Sequence, residues 1–306
     1  MRHITITGSL GSGKSVVSSI LKDHLGLEIE SIGSLLRKMA QKYGMSTIDF
    51  NKYMETHPEF DHELDDLVKK QGLSVTPKIF DSRLAWHFIP QSFKVYLYVE
   101  DEIAAKRVFN DSRRINEKYS NVQVAKLNIV QRRNSEVHRF KVQYNVDLED
   151  LANYDLIIDT SYSTPTEIAN IIISIYKQKS DTIKKEIWLS PYTLKPTQGI
   201  RNHSIDKINC INTYFEELQD YIQNPIKIMV YKNQFYVYDG HKRVLNSIIN
   251  QISLLPCELM NISNNKALPF GQTVEAYIKD CLNDEIYCDW IDLINYLKNE
   301  GKWKKK

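Results

Sequence analysis

The stretch GSLGSGKS, residues 8 to 15, limits what this chain can fold into more than any other feature. Gly8, four further residues, then Gly13, Lys14 and Ser15 satisfy the spacing G-x-x-x-x-G-K-[ST]. The β-branched run Ile4, Thr5, Ile6 and Thr7 precedes it as a short strand, and Val17, Ile20, Leu21 and Leu25 follow at helical spacing. The turn therefore joins a strand to a helix, where free backbone N–H groups and the positive end of the helix dipole converge. Gly8, Gly11 and Gly13, with Ser12 between the last two, let the backbone wrap closely around a di- or triphosphate at that point. Lys14 adds a mobile charge toward the terminal phosphates, and the Ser15 hydroxyl is placed to ligate a bridging magnesium ion. The alternative is a flexible Gly/Ser surface turn; the strand-to-helix context favours the phosphate cradle.

From residue 1 to about 178, strand-like segments near Ile4, Glu28, Lys78, Val95 and Asp155 alternate with helical ones. That alternation predicts an α/β fold, a P-loop NTPase parallel sheet flanked by helices. Residues 178–186 are polar and without apolar periodicity, and read as a linker. From about 187 the texture changes to IKIMVY, a KNQ turn, FYVY, a DGHKRVLNSIINQ helix and an LLPCELM strand, predicting a second, smaller α+β domain over 187–306. Two domains suit a chain of 306 residues. The closing KWKKK reads as a solvated end.

Lys and Arg number 40 against 38 for Asp and Glu, so a net charge of +2 argues against a general nucleic-acid coat. The four cysteines, none in a C-x-x-C arrangement, suit a reducing compartment. The chain enters a strand within three residues and holds no apolar run near the ~18 residues of a membrane span. A cytoplasmic protein with no membrane partner is expected; oligomeric state is left open.

A phosphate cradle does not by itself separate a motor, a switch or a small-molecule kinase. Arg37 follows Gly33 by one helical turn and could hold an acceptor phosphate, or be simply solvated. Asp81 ends the apolar stretch PKIFD, the usual place for a carboxylate holding magnesium through water, and Arg83 lies two residues on. An Asp–Arg surface pair is the competing reading. Arg107, Arg113, Arg114, Arg132, Arg133 and Arg139 cluster, and Arg132 and Arg139 share a helical face with Glu136 at i+4 from Arg132. A solvated face is one reading of them; the other is a closing flap, whose arginines are what phosphoryl transfer needs.

Residues 1 to about 178 resemble the cytidylate kinases of the nucleoside monophosphate kinase group, particularly the compact archaeal-type branch. The resemblance is carried by GSLGSGKS, SIGSLLRKMAQKYGM with FNKYMETHPEFDHELD, FDSRLAW, RRNSEVHRFKVQYNVDLEDLANYDLIIDTS and TPTEIANII. It implies ATP in the loop from Gly8 to Ser15, magnesium at Ser15 and Asp81, and an acceptor phosphate on Arg37 and Arg83. A helical acceptor-binding insert over about 34–72 and a lid over about 107–140, with Arg132 and Arg139 embracing the transferring phosphoryl, complete the implied kinase. Where the family tends to have Glu-Gly-Arg this chain has Asp81-Ser82-Arg83, and Asp111 stands where a second lid arginine is expected, with Arg113 or Arg114 as substitutes.

NPIKIMVYKNQFYVYDGHKRVLNSIINQISLLPCEL, with LKPTQGIRNHSIDKI upstream, resembles the ParB/sulfiredoxin-type fold over about 187–262. Asp239, Gly240, His241 and Arg243 place N–H groups, an imidazole and a guanidinium at a helix start, a second anion site or a capped helix. The turn lacks the cysteine of sulfiredoxin chemistry, and some relatives of this fold phosphorylate free serine. The expected function is ATP- and Mg-dependent phosphoryl transfer to a small acceptor, most readily CMP or dCMP, with a C-terminal nucleotide or phosphate-ligand module. The alternatives are a kinase for another small metabolite, free serine included, or a regulatory ATP-binding protein with a nucleic-acid- or partner-binding second domain.

Overall fold

A computed structural model describes residues 2–111, 119–178, 185–197, 218–260, 268, 271–283 and 290. The chain divides into two compact units, Met1–Lys185 and Glu186–Lys306.

The first unit is built on five parallel strands: β1 (Ile4–Gly8), β2 (Glu28–Ser31), β3 (Lys78–Asp81), β4 (Phe93–Tyr98) and β5 (Leu156–Asp159). Their order is β2-β3-β1-β4-β5, with Ile6 opposite Asp81 on one side of β1 and opposite Val95 on the other. Every residue of β1 is buried, as expected of a central parallel strand covered on both faces. The threonines that alternate with isoleucine are tolerated there because their hydroxyls are bonded: Thr5 Oγ1 to Ser92 Oγ at 3.1 Å, and Thr7 Oγ1 to the Ser82 carbonyl at 3.3 Å. β1 and β3 end at Gly8 and Asp81, so the candidate phosphate loop and candidate magnesium carboxylate leave the same edge of the sheet, where ligands of open α/β sheets bind.

α1 (Lys14–Leu25) follows the loop and packs on α8 (Pro165–Tyr176), whose start carries a capping box between Thr164 and Glu167. Between β2 and β3, α2 (Ile32–Lys42), α3 (Thr47–Tyr53) and α4 (Glu59–Gly72) close around Leu36, Ala40, Phe50, Met54, Phe60 and Leu64. α5 (Ala85–Phe88) is a single turn, and α6 (Asp101–Asn110) packs on the 23-residue α7 (Val122–Tyr144). Asn121 caps α7 by accepting from the Val124 amide, and Asn145 ends it in the left-handed conformation. Arg113 and Arg114 lie outside the described residues. Among the described residues no helix is long and apolar enough to cross a membrane.

In the second unit β6 (Glu186–Leu189) pairs antiparallel with β9 (Leu255–Leu259), β9 parallel with β7 (Ile226–Tyr231), and β7 antiparallel with β8 (Gln234–Asp239). Lys232 and Asn233 make the two-residue hairpin turn with φ of 47° and 57°, the pair of positive values that matches strand twist. The helix His241–Ile249 begins immediately after β8.

Candidate active site

A cavity of about 570 Å³ in the first unit runs from the loop Gly11–Ser15 to Arg37, Asn51, Asp61 and Asp65 on the helices between β2 and β3. The loop has the backbone its glycines permit. Gly11, at φ 84°, presses on α6 so closely that a Cβ would lie 2.8 Å from the Ala104 carbonyl oxygen. Gly13 caps α1 at φ 81°, with open space beside it.

Within this cradle the side chains turn on the loop's own backbone. Lys14 Nζ donates to the carbonyls of Gly8 at 2.6 Å and Ser9 at 3.1 Å. Burial, and then Arg83 beside it, push the Lys14 ammonium down to about 7; an anion at the loop would reverse that penalty. Ser12 Oγ is buried with no partner, which fits a loop shaped for a ligand's oxygens. Ser15 Oγ donates to Asp81 Oδ2 at 3.1 Å, joining a hydroxyl in the first turn of α1 to a carboxylate at the end of β3. Among the described residues no group of three His, Cys, Asp or Glu could hold a metal. The Ser15–Asp81 pair instead suits a hard cation that keeps waters and phosphate oxygens in its shell.

The arginines divide between two ends of the cavity. Arg83 donates to the Gly8 carbonyl, and its Nε meets Glu136 Oε2 at 3.1 Å; Arg132 Nε meets Glu136 Oε1 at 3.0 Å. Burial would raise the Glu136 carboxyl, but Arg83 and Arg132 outweigh it and hold the group below the usual carboxylate range. Arg139 Nε contacts Asp61 Oδ2 at 2.8 Å without an aligned hydrogen bond, and Nη1 donates to the Asn51 carbonyl at 2.9 Å. It thus serves the wall built by α3 and α4. Arg37 is exposed on α2 and lines the cavity. Arg107 ties the loop to the segment after β5, donating to the carbonyls of Gly11 at 3.3 Å, Thr160 at 2.6 Å and Ser161 at 3.1 Å.

Asp61 and Asp65 were not singled out from the sequence, although a signal exists: with Phe60, Leu64 and Val68 they share the buried face of α4. Carboxylates on an apolar helix face need a reason. Burial raises the Asp65 carboxyl to about 6, and the Tyr144 hydroxyl donates to it. The folded state therefore holds this proton between about pH 4 and 6 after the unfolded chain has released it, so Asp65 costs stability as pH rises through that window. Asp65→Asn is expected to stabilise the protein by about 1–2 kcal/mol at pH 7.5, allowing for some solvent access, and to change nothing at pH 4. Urea unfolding at the two pH values checks it; a variant less stable at pH 7.5 contradicts it.

In the second unit, Gly240 caps the helix at φ 105°. Arg243 donates to the carbonyls of Asn224 and Pro225 and to Asp239 Oδ2, the last at 3.1 Å. His241 is buried, and its Nε2 accepts from the Thr197 amide at 3.1 Å. Arg243 and His241 both hold the turn to neighbouring backbone.

A family profile described as an AAA domain matches residues 4–128. A cytidylate kinase of Thermoplasma volcanium is 34% identical over 197 residues, 63% of this chain and 98% of the relative. An S-adenosylmethionine-dependent nucleotide dehydratase of Lacinutrix mariniflava is 36% identical over 184 residues, 60% of this chain, and the chain spans 37% of that relative's length. Among solved structures, a shikimate kinase from Acinetobacter baumannii superposes with a TM-score of 0.42 at 15% identity, over 60% of this chain and 96% of that one.

Proposed function

The chain belongs to the cytidylate kinase family, and on that premise we propose that its first unit transfers the terminal phosphoryl group of ATP to a nucleoside monophosphate, with CMP or dCMP as acceptor. It is a nucleoside monophosphate kinase-like phosphotransferase. The observation that carries the acceptor reading is the cavity itself, which joins the phosphate loop without interruption to a polar wall of Asn51, Asp61, Asp65 and Arg139.

In this reading the triphosphate lies on the N–H groups of Gly11 to Ser15, and Lys14 turns from the Gly8 and Ser9 carbonyls onto it. Magnesium at Ser15 and Asp81 would supply charge neutralisation between phosphates. Arg83 and Arg37 hold the acceptor phosphate in line, and Arg132 neutralises charge on the transferring group. Asp61, Asp65 and Arg139 supply hydrogen-bond acceptors and donors to the rest of the acceptor, as an amino-bearing base and a ribose require. The nucleotide named for the dehydratase relative also supports a nucleotide ligand. ADP formation that depends on added acceptor, screened across CMP, dCMP, UMP, AMP, GMP and free serine, tests the proposal.

For the second unit we propose a ParB/sulfiredoxin-type domain, supported by the β7–β8 hairpin running straight into Gly240 and the helix after it. The start of that helix is its proposed anion site. Isothermal titration of the full chain with phosphoserine is expected to give a heat that Arg243→Ala abolishes while the variant stays folded by circular dichroism. No heat in the wild type, or an effect confined to stability, makes the turn a helix cap. Both units are proposed to work in the cytoplasm.

A further inference from the structure

Glu136 stands at the junction of the phosphate loop, β3 and α7, and it is a buried carboxylate with no place in the transfer chemistry. Its side chain is 4% exposed, and each of its oxygens takes a different guanidinium. We propose that Glu136 is a positioning residue that sets Arg83 and Arg132 onto the path of the transferred phosphoryl group, an inference that rests on the kinase reading above.

The two arginines reach Glu136 from opposite directions. Arg132 comes from the preceding turn of the same helix, at i and i+4, whereas Arg83 comes from just beyond the end of β3, 53 positions away in the chain. Both contacts use Nε, one of the five donors of a guanidinium. The carboxylate therefore fixes the plane and direction of each group without exhausting its donors. Arg83 is further indexed to the loop through its bond to the Gly8 carbonyl, the same oxygen that receives Lys14. One carboxylate thus relates a helix, a strand end and the phosphate loop in the geometry that positions oxygens for transfer.

Charge explains why a carboxylate occupies this point. Lys14, Arg83 and Arg132 are near enough that the two guanidiniums both lower the Lys14 ammonium, while Asp81 and, after it, Glu136 raise it. Three cations facing one cavity repel unless an anion lies among them. When the phosphates arrive they supply that anion, and Glu136 keeps the two arginines from closing on them in a nonproductive register. A group that bound phosphate would be missed in nucleotide affinity. A group that aims other groups is missed in turnover.

Glu136→Gln keeps the shape and one acceptor while removing the charge. Acceptor-dependent turnover at saturating substrates is expected to fall by at least about 30-fold, while ADP binding by titration calorimetry stays within about threefold of wild type or tightens, because the cavity becomes more positive. Glu136→Asp retains the charge but is one methylene too short to hold both guanidiniums. It is expected to show an intermediate turnover, and it carries the test if the glutamine variant does not fold. Wild-type turnover in either folded variant overturns the proposal, as does a loss of turnover that matches a loss of ADP affinity. A wild-type protein with no acceptor-dependent turnover overturns the kinase reading and this inference together; a working wild type with indifferent variants overturns only the role of Glu136.

Discussion

Lys14→Ala is expected to lower acceptor-dependent kcat/KM by at least ~10³-fold, about 4 kcal/mol of transition-state stabilisation, at an unchanged melting temperature. The side chain is the cradle's mobile charge, and among the described residues no other lysine lines the cavity. Its structural duties are small. The Gly8 carbonyl it leaves still accepts from Arg83, and the Ser9 carbonyl still accepts from the Ser12 amide at 3.2 Å. The ammonium is also held against burial and against Arg83, so its removal relieves a cost that offsets the two lost hydrogen bonds. Steady-state kinetics beside thermal unfolding decide it: a folded variant with full turnover contradicts the assignment of the loop.

Arg83→Ala is expected to damage both activity and stability, where Arg37→Ala damages activity alone. Arg83 is half-buried between the Gly8 carbonyl and the buried Glu136, and deleting it leaves that carboxylate with Arg132 as its remaining described ion-pair partner. Breaking a buried pair by removing one partner costs about 3 kcal/mol or more, which for a unit of this size lowers the melting temperature by roughly 6–12 °C. The acceptor KM rises and kcat falls besides. Arg37 is exposed, so its alanine variant is expected to melt with the wild type and lose about 2 kcal/mol in kcat/KM for the acceptor, with ATP affinity unchanged. Equal effects of the two substitutions on melting would show that Glu136 does not depend on Arg83.

What could be read from the sequence was whatever is encoded locally. The phosphate loop is one contiguous motif whose strand and helix flank it directly, so eight residues sufficed to place it. The apolar runs at Ile4, Lys78 and Val95 are strands because both faces of a parallel sheet are covered, and the alternation KNQ between IKIMVY and FYVY became the β7–β8 hairpin. The site's second half depends on contacts across long stretches of chain. Helical periodicity puts Arg132 and Arg139 on one face of α7, but seven residues also separate them by about 10 Å along the axis. That rise sends Arg132 to Glu136 and Arg139 to Asp61 and Asn51, so residues paired in the sequence reading serve different ends of the cavity. Asp61 and Asp65 are not legible as site residues in the sequence because charge on a helix is ordinarily solvated; only the packing of α4 against its neighbours buries them. Glu136 read as a neutraliser of Arg132, and its partnership with Arg83 is invisible without the fold.

The most direct test of phosphoryl transfer is the stoichiometry of products when the full chain is incubated with magnesium, ATP and CMP and the nucleotides are separated by chromatography. ADP and CDP are expected to accumulate together in a one-to-one ratio, and neither is expected to form when CMP is omitted. ADP released without CDP, or at the same rate with and without CMP, would contradict phosphoryl transfer to CMP and leave the first unit as a nucleotide-binding or hydrolysing domain.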